Sequence, residues 1–195
     1  MNALASKILF LIGVVVLFFI SNVQATEFNQ IQADKSSISF VFKQMNVPVE
    51  GVIKSFKSQL SFDPAKPALA KAELEIAIAS IDAGSDEAND AVVEQPWFNA
   101  KAFPVIRFVS TSIKPAGNNL FEVAGKMSIK GRTLDAKTLG TFHQEGGNGV
   151  FEGNFALNRG DYGIGEGSWA DFGTVANEVQ IKFRLVASSA AGKKQ

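Results

Sequence analysis

Apolar and polar residues alternate with a period of two along most of this chain, and that period is the mark of strands rather than helices. Successive side chains of an extended strand point to opposite faces, so each such run has one apolar and one polar side. Ile38, Phe40 and Phe42 alternate with Ser37, Ser39 and Lys43. Phe56, Leu60 and Phe62 form a second run, and Leu74, Ile76 and Ile78 a third, with Glu73 and Glu75 opposite. Ile106 and Phe108 follow, with Arg107 outward; then Phe121, Val123, Met127 and Ile129 stand against Glu122, Lys126, Ser128 and Lys130. Leu134 to Phe142 is a weaker run. Phe151, Phe155 and Leu157 come next, and Val179, Ile181, Phe183 and Leu185 close the pattern. Eight strands are therefore predicted.

Turn residues punctuate them. Asp63-Pro64 to Pro67 separates the second strand from the third. Pro115 to Asn119 reads as a hairpin loop, while Lys130-Gly131-Arg132 and Gly146 to Gly149 read as tight turns. One helical segment is expected between Ser85 and Phe98, with Ser85 as N-cap, Asp86 and Glu87 in the first turn, and Pro96 ending it. Eight sequential hairpin strands need their apolar faces covered. Closure into a barrel does this and removes the sheet edges as well. A two-sheet sandwich would satisfy the same alternation.

The first 25 residues stand apart. Lys7 precedes an apolar run from Ile8 to Ile20, and Val23-Gln24-Ala25 supplies small residues for cleavage, the order of a secretory signal peptide. The run is short beside the roughly 17 to 25 residues of a membrane span. The expected division is a signal peptide at 1–25, one β domain at 26–188 and a disordered tail at 189–195, in a periplasmic or secreted protein. A domain of this size builds its own core and is stable without disulfides, and the chain has no Cys. Lys+Arg and Asp+Glu balance at 19 each, which gives no field to recruit nucleic acid. Phe is the outlier, with 17 copies against one Tyr and two Trp. Phe brings aromatic area with no hydroxyl to satisfy.

Catalytic constellations are scarce. The single His143 lies on the polar face of the weak strand, so neither a Ser-His-Asp arrangement nor a histidine-rich metal site can be assembled. Asp82, Asp86 and Asp90 recur every four residues, as on a solvated helix face, and lack the alternate spacing of a calcium loop. Gly163 to Gly167 is glycine-rich but sits in no βαβ unit. Arg159 and Asp161 close the seventh strand, either as an ion pair at a rim or with Arg159 meeting an anionic or carbonyl head group. Trp97-Phe98 with Phe103-Pro104 forms an aromatic cluster, read as core or as a ligand gate.

Several segments, in order, resemble the YceI-like, polyisoprenoid-binding proteins across nearly all of 26–187. They are Ser37-Ile38-Ser39-Phe40, Val49-Glu50-Gly51 with Phe56, and Leu60-Ser61-Phe62-Asp63-Pro64. Ser80-Ile81-Asp82-Ala83-Gly84, Trp97-Phe98-Asn99 and Phe103-Pro104-Val105-Ile106-Arg107-Phe108 follow. Val123 to Gly131, Arg159 to Gly163 and Asn177-Glu178-Val179-Gln180-Ile181 complete the set. The resemblance implies a lipocalin-like, extended antiparallel barrel holding a polyprenyl chain, isoprenoid quinone or fatty amide; with the strands and helix read above, the expected fold is an all-β, eight-stranded barrel with one short helix. The chain departs from the family at Asn89-Asp90-Ala91-Val92-Val93, where Arg-Asp-x-His-Leu is common.

The expected function is carriage or storage of a long isoprenoid-type lipid, with no catalytic residue, metal or cofactor beyond that lipid or quinone. Phe40, Phe42, Leu74, Ile76, Trp97, Phe98, Ile106, Phe108, Phe121, Phe142, Phe151, Phe155 and Phe183 are the expected lining, and Arg159 the expected head-group contact. Expected partners are the lipid and, transiently, a membrane during lipid exchange; a dimer stays open. The rival is a barrel packed solid that serves adhesion or scaffolding.

Overall fold

The computed structural model describes residues 26–189, so the expected signal peptide and most of the expected tail lie outside the described residues. Eleven strands and one α-helix occur among them. They are β1 (Phe28–Ile31), β2 (Ser37–Gln44), β3 (Val47–Ile53), β4 (Phe56–Ser61), β5 (Lys71–Ala77), β6 (Ile81–Asp82), α1 (Asp86–Val93), β7 (Val105–Gly117), β8 (Leu120–Ile129), β9 (Arg132–Glu145), β10 (Asn148–Asn158) and β11 (Glu178–Ser189). All the pairings are antiparallel in a single sheet, ordered β4-β5-β7-β8-β9-β10-β11-β2-β3-β6, with β1 added on β11.

The sheet is curled and tied across its ends. The chain leaves β5, turns through Ile78–Ser80, and pairs as β6 with Val52 and Ile53 of β3 at the far end of the strand order. At the other end of the barrel Phe28 and Phe62 exchange both main-chain hydrogen bonds, at 2.8 and 3.1 Å, joining β1 to the end of β4. This is the antiparallel, curled β architecture expected, with three strands added to the eight. The added strands are β1, β3 and β6. Pro48 and Gly51 interrupt the alternation of β3, and Pro48 is tolerated because only Val52 and Ile53 carry a partner on that strand's outer side.

Four hairpin turns have both central residues at positive φ: Met45-Asn46, Asn118-Asn119, Lys130-Gly131 and Gly146-Gly147. Two-residue turns of this hand match the right-handed twist of the flanking strands. The loop expected over Pro115 to Asn119 is shorter than its sequence suggests, because β7 continues through Pro115, which faces Phe121, to Gly117. Gly149 likewise belongs to β10. The helix is confined to Asp86–Val93, and the Ser85 hydroxyl accepts from the Ala88 N–H at 3.2 Å.

Two packed regions lie at the ends of the barrel. At one end Phe28, Phe62 and Phe142 are buried with Phe121 and Phe151 against them, ring centroids 4.7 to 6.4 Å apart. At the other, Met127, Ile129, Tyr162 and Ile164 pack with Trp97, Phe98, Ala136 and Leu157. There β9 and β10 part company: their register ends at Asn154 opposite Leu139, where the Thr138 hydroxyl donates to the Asn154 carbonyl at 2.9 Å. Replacing Phe62, 2% exposed and in ring contact with Phe121, Phe142 and Phe151, tests the plug. Phe62→Ala is expected to lower the unfolding free energy by about 3 to 5 kcal/mol, read by denaturant titration.

Candidate functional site

Between the two packed ends lies a cavity of about 570 Å³. Its walls are built by cross-strand register. Phe40 on β2 stands opposite Ile181 on β11, which stands opposite Phe155 on β10. On the facing wall Leu74, Phe108 and Met127 form a row across β5, β7 and β8, with Ile76 and Ile106 beside it. The carrying feature is the burial of these side chains. Phe40, Phe42, Leu74, Phe108, Phe155 and Phe183 sit on the inward face and line the cavity, yet each is only half-buried. Their remaining surface borders open space inside the barrel.

Glycines shape that space where strands cross. Phe121, Gly140, Gly153 and Phe183 follow one another across β8, β9, β10 and β11. A Cβ on Gly153 would lie 2.5 Å from Cζ of Phe183, so the missing side chain lets that ring lie flat against the wall. Gly125 does the same for Phe108, whose Cε2 and Cζ would meet an added Cβ at 2.5 and 2.6 Å.

Of the residues expected to line the interior, Phe40, Phe42, Leu74, Ile76, Trp97, Phe98, Ile106, Phe108, Phe121, Phe151, Phe155, Arg159 and Phe183 do border the cavity. Phe142 does not. It is 7% exposed and belongs to the aromatic plug, in contact with Phe28 and Phe62. Ile38, Leu60, Val179, Ile181 and Leu185 join the lining, and their parity in the alternating runs could have placed them there. Trp169 and Val175 also border it from irregular chain, where no periodicity announces them. On α1, Val92, at the position where the resemblance noted above implies His, is 8% exposed and packs with Ile78, Ile81 and Ala83. Asn89 accepts from the Ala83 N–H at 2.6 Å, holding the helix to the strand before it.

Arg159 differs from both expectations for it. It makes no ion pair with Asp161, whose main-chain carbonyl instead accepts from Arg132 at 3.0 Å. Arg159 is 2% exposed, and its guanidinium is surrounded by main-chain carbonyls. Nε donates to Ala176; Nη1 donates to Ile164 at 2.7 Å and Gly165 at 3.2 Å; Nη2 donates to Trp169 at 2.8 Å, Val175 at 2.7 Å and Asp171 at 3.5 Å. The five N–H groups of the fork are thereby used, leaving none for a head group. The Phe172 and Trp97 rings flank it, 4.9 and 5.8 Å from its central carbon. Burial pulls its pKa below the ordinary guanidinium value, and the charge of Asp171 opposes that shift. Asp171 is itself held below the usual carboxylate range, first by the Gly173 N–H, then by the Thr174 hydroxyl and N–H, with Arg159 adding to these. Residues 160–177 are thus folded around one cation. Next to it, the indole Nε1 of Trp97 is buried with no acceptor.

Lys has three donors on a point charge and cannot reproduce a planar fork. Arg159→Lys is expected to cost at least about 3 kcal/mol of unfolding free energy, since it strands buried carbonyls and shifts a buried charge. Denaturant unfolding measures it; a loss below about 1 kcal/mol would mean that residues 160–177 do not depend on the fork.

A family model described as a YceI-like domain matches residues 30–187. A UPF0312 protein of Pseudomonas fluorescens is 31% identical over 144 residues, 68% of this chain and 71% of that protein. Among solved structures, Burkholderia cenocepacia BcnA aligns with a TM-score of 0.79 and 44% identity, over 82% of this chain and all of that one, 100%. A polyisoprenoid binding domain from Saccharophagus degradans, implicated in plant cell wall breakdown, aligns with a TM-score of 0.66 over 84% of this chain and 99% of its own. At 15% identity that likeness is one of fold.

Proposed function

The chain belongs to the YceI-like family, and on that footing we propose that it is a carrier or store for one long isoprenoid-type lipid, a polyprenyl chain or isoprenoid quinone. The half-buried inward Phe and Leu side chains around the cavity carry this reading. In a barrel packed solid for adhesion or scaffolding, inward rings would be buried to the degree of Phe28 and Phe62, at 0% and 2% exposure. Apolar walls of this kind bind by removing hydrocarbon from water, with few directional contacts. The volume falls within the roughly 300 to 1,000 Å³ of ligand pockets. The polyisoprenoid binding named for the Saccharophagus degradans domain supports the same class of ligand.

Within that class the unpaired Trp97 indole favours a head that carries an acceptor. A buried donor without a partner costs about 1 to 3 kcal/mol, and a ring carbonyl reaching Nε1 would remove that cost. The role proposed for the protein contains no catalytic step. The amino-terminal pattern supports export, with the lipid held in the periplasm or outside the cell.

A cavity-filling substitution tests the reading. Phe155→Trp adds bulk at the wall between β9 and β11. In a filled interior it would cost typically about 1 to 3 kcal/mol; in a carrier it takes free space, so the stability of the delipidated protein stays near the parent's while lipid capacity falls. Unfolding of both delipidated proteins, with titration of a fluorescent prenyl lipid, separates the two. Strong destabilisation together with a parent that takes up no lipid would establish the solid barrel.

A further inference from the structure

The inward face of β3 continues past the barrel rim. On β3 the inward positions run Gly51, Val49, Val47, because Val49 faces Phe42 and Val47 faces Gln44 across the β2–β3 pair. Phe42 and Gln44 border the cavity. Val47 lies past the rim, 61% exposed, and the adjacent Met45 is 72% exposed at the tip of the turn. Facing this tip is the loop that Arg159 holds. Met45 N–H donates to the Thr174 carbonyl at 2.9 Å, Ala176 N–H donates to Lys43 at 2.8 Å, and Gln44 pairs with Val175. The same loop carries Phe172, 50% exposed, with its inner face on the Arg159 guanidinium. Gln44, Ser85 and Glu87 are exposed and also border the cavity, so the interior reaches solvent beside these tips, as it does at Glu73, Lys137 and Thr141.

Charge is sparse on this surface. Lys43 is the one charged residue from 43 to 49, and Asp171 the one from 169 to 175. The Asp171 carboxylate is already occupied by the Gly173 N–H, the Thr174 N–H and the Thr174 hydroxyl at 2.9 to 3.1 Å. Two protruding apolar tips are a small anchor for a protein partner, whose stable interfaces bury about 800 Å² a side. They match shallow insertion at the headgroup boundary of a bilayer. The acids of α1 beside the mouth, Asp86, Glu87 and Asp90, disfavour an anionic surface.

We infer that the Met45–Val47 turn and the 169–175 loop form one surface that docks on a neutral, zwitterionic bilayer, holding the cavity mouth against the membrane while lipid passes. This rests on the carrier reading and adds its membrane partner.

The test is transfer of a fluorescent prenyl lipid by the full-length mature protein between phosphatidylcholine vesicles, with flotation of lipid-free protein on the same vesicles. Parent transfer is expected to rise with acceptor vesicle concentration. Met45→Ser with Val47→Thr should slow it roughly tenfold, the effect of losing about 1.4 kcal/mol of apolar contact, while capacity in a vesicle-free titration stays unchanged. Phe172→Ser should act in the same direction. Leu69→Ser, a change at 71% exposure beside Ala70 at the plugged end, should leave the rate as it is. Transfer at the parent rate by both tip variants, equal slowing by Leu69→Ser, or flotation that needs phosphatidylglycerol and vanishes in salt would each overturn the docking surface. A parent that takes up no lipid would overturn the carrier reading; flotation of the parent lost in the tip variants would still uphold docking.

Discussion

A curled sheet with an apolar inner face must keep water out of its ends if the space inside is larger than its side chains can fill. Here the two ends are built by different chemistry. One is sealed by rings: Phe28, Phe62, Phe121, Phe142 and Phe151 leave no polar group to satisfy. The other is narrowed by irregular chain around its mouth, and irregular chain brings main-chain carbonyls that need donors. Arg159 supplies them. Because five N–H groups radiate from one plane, a single side chain satisfies carbonyls from Ile164 to Ala176. Without the fork, residues 160–177 would have to be hydrated, and the mouth beside Gln44 would lose the loop that borders it.

The middle of the barrel is open for a complementary reason. Strand pairs that would otherwise bring bulky groups face to face carry Gly at Gly125, Gly140 and Gly153, and neighbouring Phe rings fold over them against the wall. A ring laid along the wall covers main chain and leaves the axis clear. The same Phe residue type therefore does opposite work at two depths, plugging where rings meet edge to face and lining where they lie over glycine.

Much of this was legible in the residues. Parity alone put Phe40, Leu74, Phe108, Phe155 and Phe183 on one inward face, since period-two patterning reports side directly. It does not report height along the barrel axis. Phe142 and Phe151 are cross-strand partners on the same face, yet one is plug and the other also borders the cavity. Strand β3 escaped because Pro48 and Gly51 break the pattern, and β6 because two residues are too few to show one. The partners of Arg159 are main-chain carbonyls, which every residue has; nothing in the order of Ile164, Trp169 and Val175 announces that they converge.

The most direct measurement is mass spectrometry of an organic extract of the natively exported protein, purified without detergent and quantified against protein. A carrier with one cavity yields a lipid with an isoprenoid chain at about one molecule per chain, and the same lipid refills the delipidated protein. Extracts with no lipid, from protein that also stays empty when offered prenyl lipids, would contradict it.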